Sequence, residues 1–242
     1  MSLVARHTFA DGLTGLSTAL SDPVVTHALQ MTVVVAAFAV VINLVFGVGI
    51  SLLLVRYEFP GRRLLSALID VPLSVSPVVV GLALLLVYNS RDGWFGGTLG
   101  DNGIQVIFAT PGMVMATVFV ALPLVIREVV PVLHEVGDEQ EQAAWSLGAN
   151  ALQTFRRVTL PSIKWAVVYG VVLSLARSLG EFGAVKIVSG NVVEKTQTAT
   201  LVVEQKYQNF EQDTAYAASF MLAFASVLCI IIVSILRPKE HS

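Results

Sequence analysis

The chain has one cysteine, Cys229, and it lies inside an apolar run. A single thiol makes no internal disulfide and cannot build a cysteine-rich metal site. Charge is scarce too: Asp, Glu, Lys and Arg are 13% of the 242 residues, against about 25% in a typical soluble domain. The formal net charge of −2 gives no basic surplus for nucleic acid. No His, Cys and acid cluster has metal-ligand spacing, and no Ser/His/acid arrangement is evident. A GxxxxGK[ST] loop is missing, and the glycines of Gly93–Gly97 lack a strand-to-helix setting. No cofactor or metal is expected on this chain. Residues 1–26 also lack a signal-peptide pattern and read as a tail or loop.

What the sequence does have is apolar length. Hydrophobic residues are 55% of the chain and mean hydropathy is +0.75. About 20 apolar residues cross a hydrocarbon layer as a helix, which satisfies its own backbone there. The chain therefore reads as an all-α integral membrane protein with five spans, within residues 27–236. The first runs from about Ala28 to Val55, with Gly47 and Gly49 suited to close helix packing. The second runs from about Leu64 or Ala67 to Tyr88 and is interrupted by Pro72 and Pro77. Ser74 and Ser76 stand beside that break, making Ser74, Ser76 and Pro77 candidates for a translocation path.

Asn89–Asn102 reads as a loop at the membrane face, anchored by Trp94 and Phe95, with a short helix expected over residues 104–110. The third span is placed at about Pro111–Val130. The fourth covers about Ile163–Leu179 and continues in broken form through Val188. Arg177 and Glu181, four residues apart there, are either a structural pair or part of a gate. A polar interval, 190–213, with an apolar island at Thr200–Val203, precedes a last span at about Ala215–Leu236, and residues 237–242 form a tail.

The longest polar-rich interval, Asp138–Pro161, lies between spans three and four. Acids crowd its start, and Ala144, Leu147, Ala151 and Phe155, with Trp145, Ala149 and Leu152, predict one amphipathic helix. Pro161 is expected to close it. Arg56, Arg62, Arg63, Arg127, Arg156, Arg157, Lys164, Arg237 and Lys239 alternate onto its side of the membrane. Arg6, Arg91, Lys195 and Lys206 fall on the other. That bias places residues 136–161 and the C-terminus in the cytoplasm.

The interval resembles the signature of ABC importer permeases, Glu-Ala-Ala, three residues, Gly, nine residues, Ile-x-Leu-Pro. Here Ala143, Ala144, Gly148, Val158, Leu160 and Pro161 match, while Gln142 stands in the glutamate position and Val158 replaces isoleucine. Phe59–Leu65, Asp70–Leu82, Ala109–Val114, Phe155–Pro161, Trp165–Arg177 and Gly180–Val185 extend the resemblance to permeases of the sulfate/thiosulfate type. Molybdate and tungstate permeases are the related alternative. A non-ABC membrane transporter, or a membrane enzyme using Arg177, Glu181 and His27 or His134, fits the signature less well.

The resemblance implies a type I importer permease of the bacterial cytoplasmic membrane, not itself an enzyme. It implies a different but homologous permease partner, two ATPase subunits that use ATP and Mg, and an extracytoplasmic sulfate-binding protein. Gln142, Ala143, Ala144, Trp145, Leu147, Gly148, Leu160 and Pro161 are then the expected ATPase-coupling residues. Such permeases usually have six spans, so a first span ahead of Met1 is expected as well.

Overall fold

We describe residues 14–236 of a computed structural model of the chain; residues 1–13 of the expected N-terminal tail and the tail at 237–242 lie outside them. Every regular element among the described residues is helical. A short helix, α1 (Thr14–Ser21), leads into the long α2 (Pro23–Arg56). This span starts ahead of the apolar run at Ala28 because Asp22 caps it. The Asp22 carboxylate accepts the Val24 N–H at 2.9 Å, and Pro23 occupies a first-turn position where no N–H is needed.

The second span is built in two pieces, α3 (Arg62–Ser74) and α4 (Pro77–Tyr88), bent by 112°. Pro77 pushes Ser76 out of helical geometry, to φ −59° and ψ 134°. Pro72 is carried inside α3, so the break falls at one of the two prolines rather than both. Arg62 and Arg63 line a cavity with Leu54 and His134, whereas Tyr88 packs near Val35, Ile107 and Met113. The bent pair thus joins opposite ends of the bundle.

Two local expectations change in the next stretch. A helix forms at α5 (Gly96–Asp101), and residues 104–109 have none. Their backbone is engaged elsewhere: the Phe108 N–H donates to Val188 O at 2.7 Å, and Val106 O accepts the Gly112 N–H at 3.0 Å. The third span, α6 (Thr110–Val136), passes through Pro123 and Pro131 and beyond the expected end at Val130. Arg127 does not stop it, because an ion pair to Asp70 of α3 at 2.9 Å engages its charge.

Beyond α6 follow α7 (Glu139–Ser146), α8 (Ala151–Thr154), a π-helical turn (Phe155–Thr159) and α9 (Leu160–Leu179). The chain ends in α10 (Gly183–Ser189), α11 (Ala199–Gln208) and α12 (Gln212–Leu236). Within the expected polar interval, α11 covers the apolar island. Thr32 of α2 accepts the Ala199 N–H at 2.9 Å, filling the cap place at the start of α11. Among the described residues, α2, α6, the run Ala151–Leu179 and α12 are each long and apolar enough to cross a membrane, and α3 with α4 makes a fifth.

Close approach holds α2, α6 and α9 together. A Cβ on Gly47 would lie 2.7 Å from Val125 Cγ1, and one on Gly170 would lie 3.0 Å from Val125 Cα. Gly49 meets nothing within 4 Å, so the packing expected of both α2 glycines belongs to Gly47 alone. Buried Asn43 donates to Ser174 Oγ at 3.0 Å, a polar tie between α2 and α9. Val48, Val125, Val129, Leu133, Ile163 and Val167 fill the space between these helices.

Candidate functional site

The Asp138–Pro161 interval is not one helix. Gly148 adopts φ +84°, and the Gly148 N–H bonds to Trp145 O while the Ala149 N–H bonds to Ala144 O. That is a Schellman stop, and it needs a residue tolerant of left-handed geometry at Gly148. Asn150 then restarts the chain as α8: its side chain accepts the Gln153 N–H at 2.9 Å, and Gln153 reaches back to the Asn150 N–H at 3.0 Å.

The stop divides the predicted apolar stripe. Trp145, Leu147 and Leu152 are turned to solvent, at 53%, 89% and 65% exposure. Phe155 turns inward onto the α2–α6–α9 core. Beside Leu152, a cavity of about 410 Å³ is lined by Gln153, Arg156 and Arg157. The outer surface therefore carries exposed apolar side chains on both sides of the stop, with Arg156 and Arg157 beside Leu152. Ala143 and Gly148 are exposed as well, and Ala144 is half-buried.

Pro161 does not close the segment either. The helix runs on through it, because the turn before it widens: the Leu160 N–H bonds to Phe155 O, five residues back. A proline ring crowds the carbonyl four residues earlier and offers no N–H. The wider turn absorbs both defects and passes the chain directly from α8 into α9.

Glu141 and Gln142 divide the roles expected near the signature's glutamate. Gln142 is exposed and donates to Asp138 Oδ2 at 2.7 Å. Glu141 is buried and accepts from Arg56 Nε at 2.9 Å and from the Thr159 hydroxyl at 2.8 Å. The sequence marks Arg56 only as one of the basic residues that set the topology and gives Thr159 no role. The available signal was that Arg56 is the first charge after the long neutral run.

The second candidate group lies where two helices break. Gly183 opens α10 against Pro77 at the start of α4; a Cβ there would sit 3.0 Å from Pro77 Cβ. Gly81 approaches Ala184 O with similar closeness, 2.8 Å from its would-be Cβ. The turn between α9 and α10 carries Glu181, 3% exposed, whose Oε1 accepts the Ala184 N–H at 3.0 Å. Arg177 Nη1 is 2.8 Å from Oε2, an ion pair that is not aligned as a hydrogen bond. Thr200 of α11 donates to the Glu181 carbonyl at 2.9 Å. Pro77 and the Glu181 turn are thus brought together. Ser74 bonds weakly to Asp70 O within its own helix, at 3.4 Å, and the Ser76 side chain makes no cap bond to α4. Among the described residues no group of three or more His, Cys, Asp or Glu is placed to hold a metal ion.

The fold recurs in solved transporters. A bacterial ABC transporter involved in the import of the acidic polysaccharide alginate superimposes with a TM-score of 0.78 at 14% identity, covering 97% of this chain and 87% of that one. An amino acid ABC transporter gives 0.58 at 21% identity, covering 91% and 96%. At such identities the likeness speaks for fold alone. In sequence, the chain is 45% identical over 236 residues to the sulfate transport system permease protein CysW of Synechococcus elongatus, covering 98% of this chain and 82% of that protein. It is 44% identical to CysW of Escherichia coli, covering 95% and 78%, and 39% identical to the permease protein CysT of Salmonella typhimurium, covering 91% and 79%. Residues 43–238, which include the divided segment and both helix breaks, match the model of binding-protein-dependent transport system inner membrane components. The chain belongs to that family and is a multi-pass inner-membrane permease component.

Proposed function

We propose that this permease carries sulfate or thiosulfate inward, driven by ATP that separate subunits hydrolyse. The observation that carries the proposal is the exposure of Trp145, Leu147 and Leu152 on a segment fastened into the bundle through Glu141. Large exposed apolar side chains with arginine nearby suit a protein interface. Gln142, Ala143, Ala144 and Gly148 are near Trp145 and Leu147 in the chain and admit a closely approaching partner. In this reading the partner is a cytoplasmic ATPase, present twice and using ATP and Mg. A homologous permease completes the membrane pathway, and an extracytoplasmic binding protein delivers the anion.

Movement of the docked segment passes through Leu160 and Pro161 into α9, which is continuous with it. At the far end of α9 the chain breaks after Leu179, and Gly183, where α10 begins, packs against Pro77. We assign Ser74, Ser76, Pro77, Arg177 and Glu181 to the gate formed where those breaks meet. ATP binding acts by favouring one arrangement of the breaks over another. Sulfate is a dianion, so transient contacts to backbone amides, hydroxyls and one cation suit passage better than a dense basic site.

The anion class rests on the sulfate permeases described above. ATP-dependent uptake of labelled sulfate into proteoliposomes containing the whole complex tests it, with thiosulfate, molybdate and tungstate as competitors. Thiosulfate competing at concentrations where molybdate and tungstate do not is the expected result. Preferential uptake of molybdate or tungstate would replace it with the related permease class.

A further inference from the structure

Arg56 closes α2, and its guanidinium reaches two further elements. Nε lies 2.9 Å from Glu141 Oε2 and Nη2 3.4 Å from Oε1, in the first turn of α7. Nη1 donates to Leu133 O at 3.0 Å, and Nη2 donates to Gly137 O at 2.6 Å. Those carbonyls belong to the end of α6, where a helix has no partners of its own to offer. From the other side, the Thr159 hydroxyl of the π-turn completes Glu141 with a 2.8 Å bond. The C-terminal ends of α2 and α6, the start of α7 and the entry to α9 therefore meet at one largely buried ion pair.

Stability alone is a weak reason to bury such a pair, since well-packed apolar side chains of similar volume often serve as well. What it supplies is fixed geometry. The planar fork of arginine engages a carboxylate and two carbonyls at once, which the single ammonium of lysine does not reproduce. Displacing α7 against α2 or α6 would part the two charges and strand both in a buried setting.

We infer that Arg56 and Glu141 form a second route for the coupling stroke. They fasten α7 to α2 and α6, so that a force on Trp145 and Leu147 moves the α2–α6–α9 bundle as one body. Pro161 is then one of two entry points and not the sole one. Both residues are positioning residues, touching neither ATP nor anion, and the inference rests on the ATPase-docking reading above.

The test uses the complete reconstituted transporter carrying Glu141→Gln or Arg56→Lys. Expected is ATP hydrolysis within about two-fold of the unaltered complex, while anion carried per ATP falls about five-fold or more. A staple with no part in transmission would lower the yield of assembled complex and leave anion per ATP unchanged; that outcome overturns the inference. Should these variants fail to assemble, Thr159→Val removes one bond to Glu141 and is judged by the same ratio.

A complex that assembles and hydrolyses ATP but carries no sulfate refutes the substrate reading and leaves the coupling route to a second measurement. Spin labels at Leu53 and Gln140, both exposed, report the α2–α7 distance in a Cys229→Ser background. The distance is expected to hold constant with and without nucleotide, and to vary with nucleotide once Glu141→Gln is introduced. Variation in the complex that retains Glu141 contradicts the inference.

Discussion

Glu141 and Gln142 are chain neighbours with opposite surroundings. Glu141 is 6% exposed and bound by Arg56 and Thr159, while Gln142 is exposed and its side chain bonds Asp138 of its own turn. Their substitutions should therefore separate anchoring from surface contact. Glu141→Ala leaves a largely buried guanidinium without its acid and is expected to cost about 3–5 kcal/mol. Gln142→Ala should stay within about 0.5 kcal/mol. Thermal unfolding of the purified permease, compared for the two variants, measures both.

The two glycines of α2 give a cleaner packing comparison. Gly47→Ala places a methyl 2.7 Å from Val125 Cγ1 and should cost about 1–3 kcal/mol through separation of α2 from α6. Gly49→Ala meets open space and should be neutral, or stabilising by up to about 1 kcal/mol. Equal effects in a denaturation series would contradict the close contact at Gly47.

Gly148 supplies the left-handed residue that ends α7. Gly148→Ala has room for its methyl but not the backbone preference, at a cost of about 1–2 kcal/mol. Gly148→Asn should lose less, because asparagine visits that conformation more readily. Retention of ATPase binding by the asparagine variant, with weaker binding by the alanine variant, is the expected pull-down result.

At the other end of the bundle, Lys206 of α11 bonds Asp22 at 2.8 Å and Glu211 at 2.7 Å. The Lys206 hydrogen bond holds the Asp22 carboxyl below its ordinary value despite some burial, helped by the Val24 N–H. Asp22, and then Glu211, hold Lys206 above its own. A lowered acid stabilises above its unfolded pKa, about 3.9, and that contribution is lost as pH falls through the folded value. A raised lysine stabilises below about 10.4, and its contribution is lost as pH rises through the folded value. Stability from this group is thus greatest between those limits. Lys206→Gln should flatten the pH dependence and cost up to about 1 kcal/mol near neutrality, as read from melting temperature across pH.

Much of this architecture can be read from local pattern. Apolar runs locate the spans, and Pro72 and Pro77 mark the second span as interrupted; the turns at Gly148 and before Pro161 lie in what the pattern reads as one helix closed by Pro161. Pattern does not give the outcome at those turns. Pro161 reads as a terminator, yet the π-turn from Phe155 to Thr159 carries the helix through it. The stripe from Ala144 to Phe155 assumes one uninterrupted helix, and the stop at Gly148 sends Leu147 outward while Phe155 goes in. Arg56 and Glu141 are 85 residues apart, so no local spacing announces their contact. Gln142 draws attention as the altered signature residue, whereas the buried acid is its neighbour.

Contact between the divided segment and an ATPase is the claim on which the mechanism depends. Ala144→Cys in a Cys229→Ser background, crosslinked in the assembled and transporting complex with and without nucleotide, measures it directly. A crosslink from position 144 to the ATPase is expected, with a yield that changes with nucleotide. A fully active complex in which that position reaches no ATPase residue in any nucleotide state would contradict it.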